Sequence, residues 1–448
     1  MKRLPVMVLA VSLTMFSAPP AWAIDPPAID AGALPPDATG PDQPNEQRHE
    51  CKGPATMPDS NFADKPWAST YLQIPEAQKF ATGAGVTVAV IDTGVNASPR
   101  VPAQPGGDFV ADGDGLQDCD SHGTLTASII AGRPSPTDGF VGVAPDAKLI
   151  SLRQTSENFS PKGAQQNMND PNTSQTAGSI RGLARAIVHA ANLGAQVINI
   201  SEAACYKVTR RIDESTLGAA INYAVNDKNV VVVVAAGNTG KDCAQNPPPD
   251  PSVPSDPRGW KKVETIVSPA WYDPLVLTVG SISQNGQPSS FSVSGPWVGV
   301  AAPGEMLTAL GYDGQPVNAI GDPDGPKPLF GTSFSVAYVS GLAALLRQRF
   351  PDLSAAQIIN RITATARHPG GGVDNYVGAG PVDMVAALTW DVPDGPQKVP
   401  FRVKEVPPPP YIPPPDRGPI TGVVIGAVSL ALILGIGAMA RRALRRRS

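Results

Sequence analysis

The sequence has few cysteines, few histidines and little excess charge, and each shortage excludes a class of protein. Its 448 residues include four cysteines, at positions 51, 119, 205 and 243, and none belongs to a C-x-x-C pair, so a structural zinc site is not expected. The net charge of −4 comes without a basic patch, which argues against a nucleic-acid partner. Four histidines leave few choices for a catalytic base.

Both ends of the chain have features of an exported, anchored protein. Residues 1–23 combine a basic start, an apolar run and an Ala-Trp-Ala end, which predicts a secretory signal peptide. An even cysteine count fits disulfides in an oxidising compartment, with three pairings possible. Residues 420–440 form an apolar stretch long enough to cross a bilayer, and an Arg-rich tail, 441–448, follows it. Since positive residues stay cytoplasmic, we predict the body outside and the tail inside.

Composition divides the exported chain further. Residues 24–66 are a Pro-rich extension, 67–392 alternate predicted strands and helices, and 393–419 are a Pro-rich linker expected to act as a spacer. Strands separated by helices predict an α/β fold, with a mostly parallel sheet covered on both faces. Polar residues 155–177 and 241–262 are predicted surface loops. The predicted strands are Val86–Ile91, Lys148–Arg153, Val197–Ile200, Val230–Ala236 and Leu275–Val279, and the predicted helices are Gly123–Ala131, Ile180–Leu193, Ser215–Val225, Ser333–Arg347 and Ser354–Ala366.

Three separated motifs contain the residue types of nucleophilic catalysis. Asp92 ends an apolar run, His122 lies in Ser-His-Gly-Thr, and Ser333 lies in Gly-Thr-Ser-Phe-Ser. A serine hydroxyl needs a base such as histidine, and a carboxylate can orient the imidazole. Asp92 should emerge at the carboxyl edge of the sheet, where open α/β folds place their sites. Singly, each motif is more often a turn, cap or loop, and the prediction depends on all three.

His122 is the histidine with suitable neighbours. His49 lies in the Pro-rich extension, His189 in the middle of a predicted helix, and His368 just before Pro-Gly-Gly. We predict that these three are solvated or packed.

Four carboxylates cluster just before His122, at Asp112, Asp114, Asp118 and Asp120. Oxygen ligands of this kind can hold calcium. A solvated turn is the preferred interpretation, so no metal and no cofactor are predicted.

The order Asp, His, Ser resembles the subtilases, and further motifs extend the resemblance over most of the body. The resemblance implies a subtilisin-like three-layer fold and a serine endopeptidase with Asp92, His122 and Ser333 as its triad. It also implies that Asn238, in Ala-Ala-Gly-Asn after a Val run, donates its amide to the oxyanion. The implied substrate-binding residues are Ser201, Glu202, Ala203, Ala236 and Gly237.

Two departures from ordinary subtilases affect specificity and regulation. Many subtilases have Ser-Leu-Gly-Gly where residues 201–204 read Ser-Glu-Ala-Ala, which predicts a shallow pocket for small residues. The extension is too short and irregular for the usual folded propeptide. In a subtilase, the strands before Cys205 and Cys243 are neighbours, so the resemblance implies the pair Cys205–Cys243 and leaves Cys51–Cys119. The extension would then be a permanent strap.

The whole arrangement resembles the mycosins, the membrane-anchored subtilases of mycobacterial type VII secretion systems. Segments such as residues 202–206, Glu-Ala-Ala-Cys-Tyr, support this. The resemblance implies a single-pass protein of the cell membrane whose catalytic domain lies on the periplasmic or cell-wall side. It would cleave proteins secreted by the same system, with narrow specificity, and support the membrane complex. The alternative is a scaffold of that complex, with proteolysis dispensable for this role.

Overall fold

The computed structural model describes residues 24–163, 176–240, 242–403 and 418–446. The predicted signal peptide and most of the Pro-rich linker lie outside these ranges. The strands are β1 Asn45–Gln47, β2 Pro54–Ala55, β3 Thr87–Asp92, β4 Ala103–Asp108, β5 Lys148–Arg153, β6 Phe159–Pro161, β7 Val197–Ile200, β8 Ala204–Lys207, β9 Val231–Ala235, β10 Thr265–Ser268, β11 Leu277–Ile282, β12 Val298–Pro303, β13 Ala309–Leu310, β14 Pro316–Val317, β15 Ala319–Ile320 and β16 Lys327–Pro328. The α-helices are α1 Trp67–Tyr71, α2 Ile74–Ala77, α3 His122–Ala131, α4 Ile180–Asn192, α5 Ser215–Asn222, α6 Thr332–Arg349, α7 Ala355–Ala364, α8 Met384–Thr389 and α9 Gly418–Arg445.

A seven-stranded parallel sheet, in the order β12-β11-β9-β7-β3-β5-β4, organises the first structural unit, which ends at Lys404. Strands buried on both faces are apolar throughout, and all five residues of β9 are buried. Helices α3 and α6 pack together, and α4 and α5 pack together, so both faces are covered. The predicted three-layer fold is therefore confirmed.

The edges of the sheet are where sequence and structure differ. The predicted positions of β3, β5, β7 and β9 are correct to within one residue. The two edge strands, β4 and β12, were not predicted. Strand β4 reads Ala-Gln-Pro-Gly-Gly-Asp and lacks an apolar run. Strand β11 begins two residues later than expected, since Leu275 and Val276 belong to the preceding turn.

The N-terminal extension packs along the body. Strand β1 pairs with β6, and β2 pairs with β15, both antiparallel. Ile29 is buried in the main core. Between the two strands, the backbone N–H of Lys52 donates to the carbonyl of Cys119 at 2.9 Å. The disulfides are Cys51–Cys119 and Cys205–Cys243, which confirms both predicted pairs.

The second structural unit begins at Glu405 and contains helix α9. Among the described residues, one helical stretch, Gly422–Arg445, is long and apolar enough to cross a membrane, with a mean hydropathy of 2.5. By length and composition it can serve as an anchor.

Removing the Cys51–Cys119 disulfide should destabilise the body. The Cys51→Ser, Cys119→Ser double variant opens a crosslink between residues 68 positions apart, and such links typically contribute roughly 2–4 kcal/mol. Denaturant unfolding should therefore show a lower midpoint than the native chain. The matched Cys205→Ser, Cys243→Ser variant opens a shorter loop and should lose slightly less. An unchanged midpoint in the first variant would show that the extension is not coupled to the stability of the body.

Candidate active site

The site lies where the carboxyl ends of three neighbouring strands meet. Strand β3 ends at Asp92, β7 leads into Ser201, and β9 leads into residues 236–238. Strand β5 lies on one side of β3 and β7 lies on the other, so the strand order reverses direction at β3. The crevice at such a topological switch point is the usual ligand site of an open α/β sheet. Helices α3 and α6 bring His122 and Ser333 to this edge in their first turns.

Asp92, His122 and Ser333 form one hydrogen-bonded chain. Nδ1 of His122 lies 2.7 Å from Oδ1 of Asp92, and its Nε2 lies 2.8 Å from Oγ of Ser333. With the imidazole proton on Nδ1, the ring donates to the carboxylate and can accept the serine proton. The structure thus brings together the three residues predicted as a triad, in an arrangement able to activate a hydroxyl.

The Asp92 carboxylate is fully buried and held from several sides. Its Oδ1 also accepts from the backbone N–H of Thr93 at 2.7 Å, and its Oδ2 accepts from Oγ1 of Thr126 at 3.1 Å. Gly123 lets α3 approach this closely, because a Cβ there would lie 2.0 Å from the carbonyl oxygen of Gly94. Substitution of Gly123 would push His122 away from the end of β3.

The pKa values of Asp92 and His122 are shifted in opposite directions, that of Asp92 downward and that of His122 upward. Burial raises the pKa of the Asp92 carboxyl, but the charge and hydrogen bond of His122 outweigh burial and hold that pKa below its usual range. Burial lowers the pKa of the His122 imidazole, but the charge and hydrogen bond of Asp92, together with the charges of Glu202 and Asp118, outweigh burial and raise that pKa above the ordinary value. The geometry therefore favours an imidazolium next to a carboxylate, the charge state formed once the base has accepted a proton.

Asn238 faces the serine from the end of β9. Its Oδ1 accepts from the N–H and the Oγ1 of Thr332, both at 3.0 Å, which fixes the amide plane. Gly331, with φ of +145°, leaves a gap beside it. A Cβ there would lie 3.0 Å from Oγ of Ser333 and 3.3 Å from Nδ2 of Asn238. An atom in this gap is within reach of both nucleophile and amide, as a substrate carbonyl oxygen must be.

A cavity of about 390 Å³ opens over these residues. The expected substrate-binding residues Ser201, Glu202, Ala203 and Gly237 line it, whereas the expected Ala236 does not and its neighbour Ala235 does. The complete lining is Lys52, Thr93, Asp120, His122, Thr155, Glu157, Ser201, Glu202, Ala203, Ala235, Gly237, Asn238, Cys243, Ile320, Phe330, Thr332 and Ser333.

The acidic cluster before His122 is only partly a solvated turn. Asp112 and Asp114 are exposed as expected, but Asp118 and Asp120 are buried. Asp118 accepts from Thr93 and Thr124, and Asp120 accepts from Ser156 and Asn158. The solvated-turn interpretation is therefore wrong for these two. Their hydrogen bonds brace the loop that enters α3, which gives them a role without a metal.

Among the residues that the structure describes, one set of side chains has the spacing of metal ligands. Single donor atoms of Asp92, His122 and Glu202 lie within 4.8 Å of one another. The 2.7 Å separation of Nδ1 and Oδ1 is that of a hydrogen bond, and a metal bound to both atoms would have to replace it. A catalytic triad accounts for the separation of Nδ1 and Oδ1 and leaves their hydrogen bond in place.

Several residues of the site were not predicted. Thr126 holds Asp92, and Lys52 and Glu157 line the cavity, joined by an ion pair at 3.2 Å. The role of Thr126 could have been predicted from the sequence, because this residue lies four positions after His122 and therefore one helical turn further on the same face of α3. Lys52 and Glu157 come from the strap and a polar loop, and no local pattern connects either to the triad. Away from the site, His189 pairs with Asp37 of the extension at 2.6 Å.

Fold and site together define a subtilisin-like serine protease. The sequence profile of the subtilase family matches residues 83–380, so the chain belongs to that family. Within it, the chain is a mycosin, as its relatives show. It is 80% identical over 448 residues to Mycosin-1 of Mycolicibacterium smegmatis, covering 100% of both chains.

Solved structures agree with this assignment. The crystal structure of MycP1 from the ESX-1 type VII secretion system is 80% identical, with a TM-score of 0.83, covering 85% of this chain and 100% of that one. A chain in the intact ESX-5 inner membrane complex is 47% identical, with a TM-score of 0.80, covering 94% of this chain and 100% of that one.

Replacing Asp92 by Asn should lower the pKa of His122. The amide keeps the size of the carboxyl but removes the charge that opposes burial, so the pKa should fall by about 1–3 units. An NMR titration of the imidazole protons would measure this, and four histidines make assignment simple. Thr126→Val is the matched control, because it removes a hydrogen bond to Asp92 and keeps the charge. An equal fall in both variants would contradict the electrostatic explanation.

Proposed function

We propose that this chain is a membrane-anchored serine endopeptidase of a type VII secretion system, with Ser333 as nucleophile, His122 as general base and Asp92 as the orienting carboxylate. The observation that carries the proposal is the continuous hydrogen-bonded chain from Asp92 through His122 to Ser333. Such a chain is what acyl transfer by a serine requires.

The proposed reaction follows from the atoms present. Oγ of Ser333 attacks the scissile carbonyl while its proton moves to Nε2 of His122, and Asp92 stabilises the resulting imidazolium. The carbonyl oxygen gains charge in the gap beside Gly331, where Nδ2 of Asn238 donates to it. Collapse of the tetrahedral intermediate breaks the peptide C–N bond, and His122 protonates the leaving amine. Water then hydrolyses the acyl-enzyme by the same sequence.

Because the triad acts as a unit, Ser333→Ala and His122→Ala should abolish peptide hydrolysis almost equally, and the double variant should be little worse. Asn238→Ala should retain the triad and lose about 10²–10³ in turnover. Peptide hydrolysis and labelling with a serine-directed fluorophosphonate would measure these effects. Substantial hydrolysis by Ser333→Ala would overturn the assignment of the nucleophile.

The proposed specificity is for a small residue before the scissile bond. Ala203 lines the active-site cavity where many subtilases have glycine, and its methyl group reduces the depth available to a substrate side chain. Ala204 is exposed and lies outside the lining of this cavity. We therefore expect Ala203 to select substrates by the size of the side chain before the scissile bond.

Cleavage after Ala, Ser or Gly should exceed cleavage after Phe, Leu or Tyr by roughly a hundredfold, equivalent to about 2.7 kcal/mol. Ala203→Gly should reduce this ratio by deepening the pocket, whereas the matched control Ala204→Gly should preserve it. Digestion of a peptide library gives the ratios. Equal rates after Phe and after Ala in the native enzyme would refute the narrow pocket.

We also propose that the protein is a structural member of a secretion complex in the cell membrane, with its catalytic domain on the periplasmic or cell-wall side. The apolar stretch Gly422–Arg445 and the Arg-rich tail support this placement. A relative present in the ESX-5 inner membrane complex supports the partnership. The proposed substrates are proteins secreted by the same system. The extension, crosslinked through Cys51, would remain as a strap during activity.

If the structural role is separate from proteolysis, Ser333→Ala should preserve the membrane complex, while deletion of the whole protein should weaken it. Native gel electrophoresis of detergent-extracted membranes from both strains would test this, with the level of the variant protein as control. Equal loss of the complex in both strains, at a normal level of the variant, would attribute the effect to catalysis alone.

A further inference from the structure

Glu202 places a second carboxylate beside the imidazole, although a triad needs one. Its Oε1 lies 4.0 Å from Nδ1 of His122, the same nitrogen that donates to Asp92. The two carboxylates differ in environment, because the side chain of Asp92 is fully buried and that of Glu202 is 39% exposed. Glu202 is therefore the one that a substrate can contact.

Glu202 also stands where two cavities meet. Together with Ala203 it lines both the active-site cavity and an adjoining cavity of about 230 Å³, which extends toward the start of α4. A peptide bound along this wall, with its scissile carbonyl at Ser333, must pass the Glu202 carboxylate.

The surrounding charges are mostly negative. His122 is faced by Asp92 from β3 and by Asp118 from the loop before α3. Glu202 is faced by His122 and by the carboxylates of Asp92, Asp120 and Glu157. The one lysine in the cavity lining, Lys52 of the strap, already pairs with Glu157 at 3.2 Å. In the described part of the chain, the cation placed against Glu202 is thus the imidazole.

We propose that Glu202 is a positioning and specificity residue: in the free enzyme its carboxylate stabilises the His122 imidazolium, and a lysine or arginine side chain of the substrate, upstream of the small residue at the cut, takes over that carboxylate. His122 then releases its proton to solvent and becomes the neutral base that Ser333 requires. This inference rests on the proposed function. It adds a preference for a cationic residue in the substrate to the preference for a small residue at the cut.

The physical basis is competition between two cations for one carboxylate. Burial lowers the pKa of His122, and the charges of Asp92 and then Glu202 raise it. A protonated His122 cannot accept a proton, so activity falls as the pH drops through this pKa. Neutralising Glu202 removes one of the charges and moves the loss of activity to lower pH, by about one pH unit for a half-exposed charge at this distance.

The test compares full-length enzyme in detergent as the native chain, as Glu202→Gln and as Glu305→Gln. Glu305 is a half-buried carboxylate outside the lining of both cavities, so it controls for loss of charge alone. Peptides with Ala before the cut carry either lysine or norleucine at each of the four preceding positions. Both kcat and kcat/KM are measured from pH 5 to pH 10.

We expect the acid limb of kcat/KM in Glu202→Gln to move down by about one pH unit, and a lysine preference of about tenfold in the native enzyme to vanish. Glu305→Gln should keep the native limb and preference. In the native enzyme, the acid limb of kcat should lie at lower pH for the lysine peptide than for the norleucine peptide. An acid limb or a lysine preference that is unchanged by Glu202→Gln would overturn the proposal.

Failure of the proposed function would look different. Fluorophosphonate labelling at pH 9 reports Ser333 in each variant without using a peptide. Labelling of native enzyme and Glu202→Gln to the same final extent, and none of Ser333→Ala, would establish an intact nucleophile whatever the peptide preferences are.

Discussion

The buried carboxylate of Asp92 is the charge on which the rest of the site depends. An ionised carboxylate inside a protein is costly unless it is paired and hydrogen-bonded. Here the imidazole of His122, the N–H of Thr93 and the hydroxyl of Thr126 satisfy it. His122 and Thr126 belong to α3 and require it to begin against the end of β3, where a Cβ at position 123 would lie 2.0 Å from the carbonyl oxygen of Gly94. The position of the base is thus a consequence of burying its partner.

The strap and its disulfide extend this support outward. Cys119 lies three residues before His122 and is tied to Cys51, while the buried Asp118 and Asp120 bind the adjacent loops. The extension also supplies Lys52 to the cavity lining. A segment that crosslinks the entrance of α3 and lines the cleft is better suited to shaping the site than to blocking it.

Sequence patterns predicted the central strands and the chemistry well. The apolar runs of β3, β5, β7 and β9 reflect burial on both faces, a condition that leaves a clear local signal. Edge strand β4 leaves none, because it is polar and contains Pro and Gly. Likewise, the acidic cluster before His122 has the composition of a solvated turn, yet two of its members are buried by hydrogen-bond partners distant in sequence.

The sequence alone determined the order of Asp, His and Ser, the family to which they belong and the apolar C-terminal stretch, because these depend on residue type and spacing. The two disulfide pairs were implied by the resemblance to that family, whose fold makes the strands before Cys205 and Cys243 neighbours. Only the tertiary structure decided that Asn238 and Ser333 share a gap beside Gly331, and that Glu202 stands 4.0 Å from the imidazole. Those distances depend on how the strand ends and helix starts converge, and a carboxylate next to a histidine leaves no trace in a sequence that separates them by 80 positions.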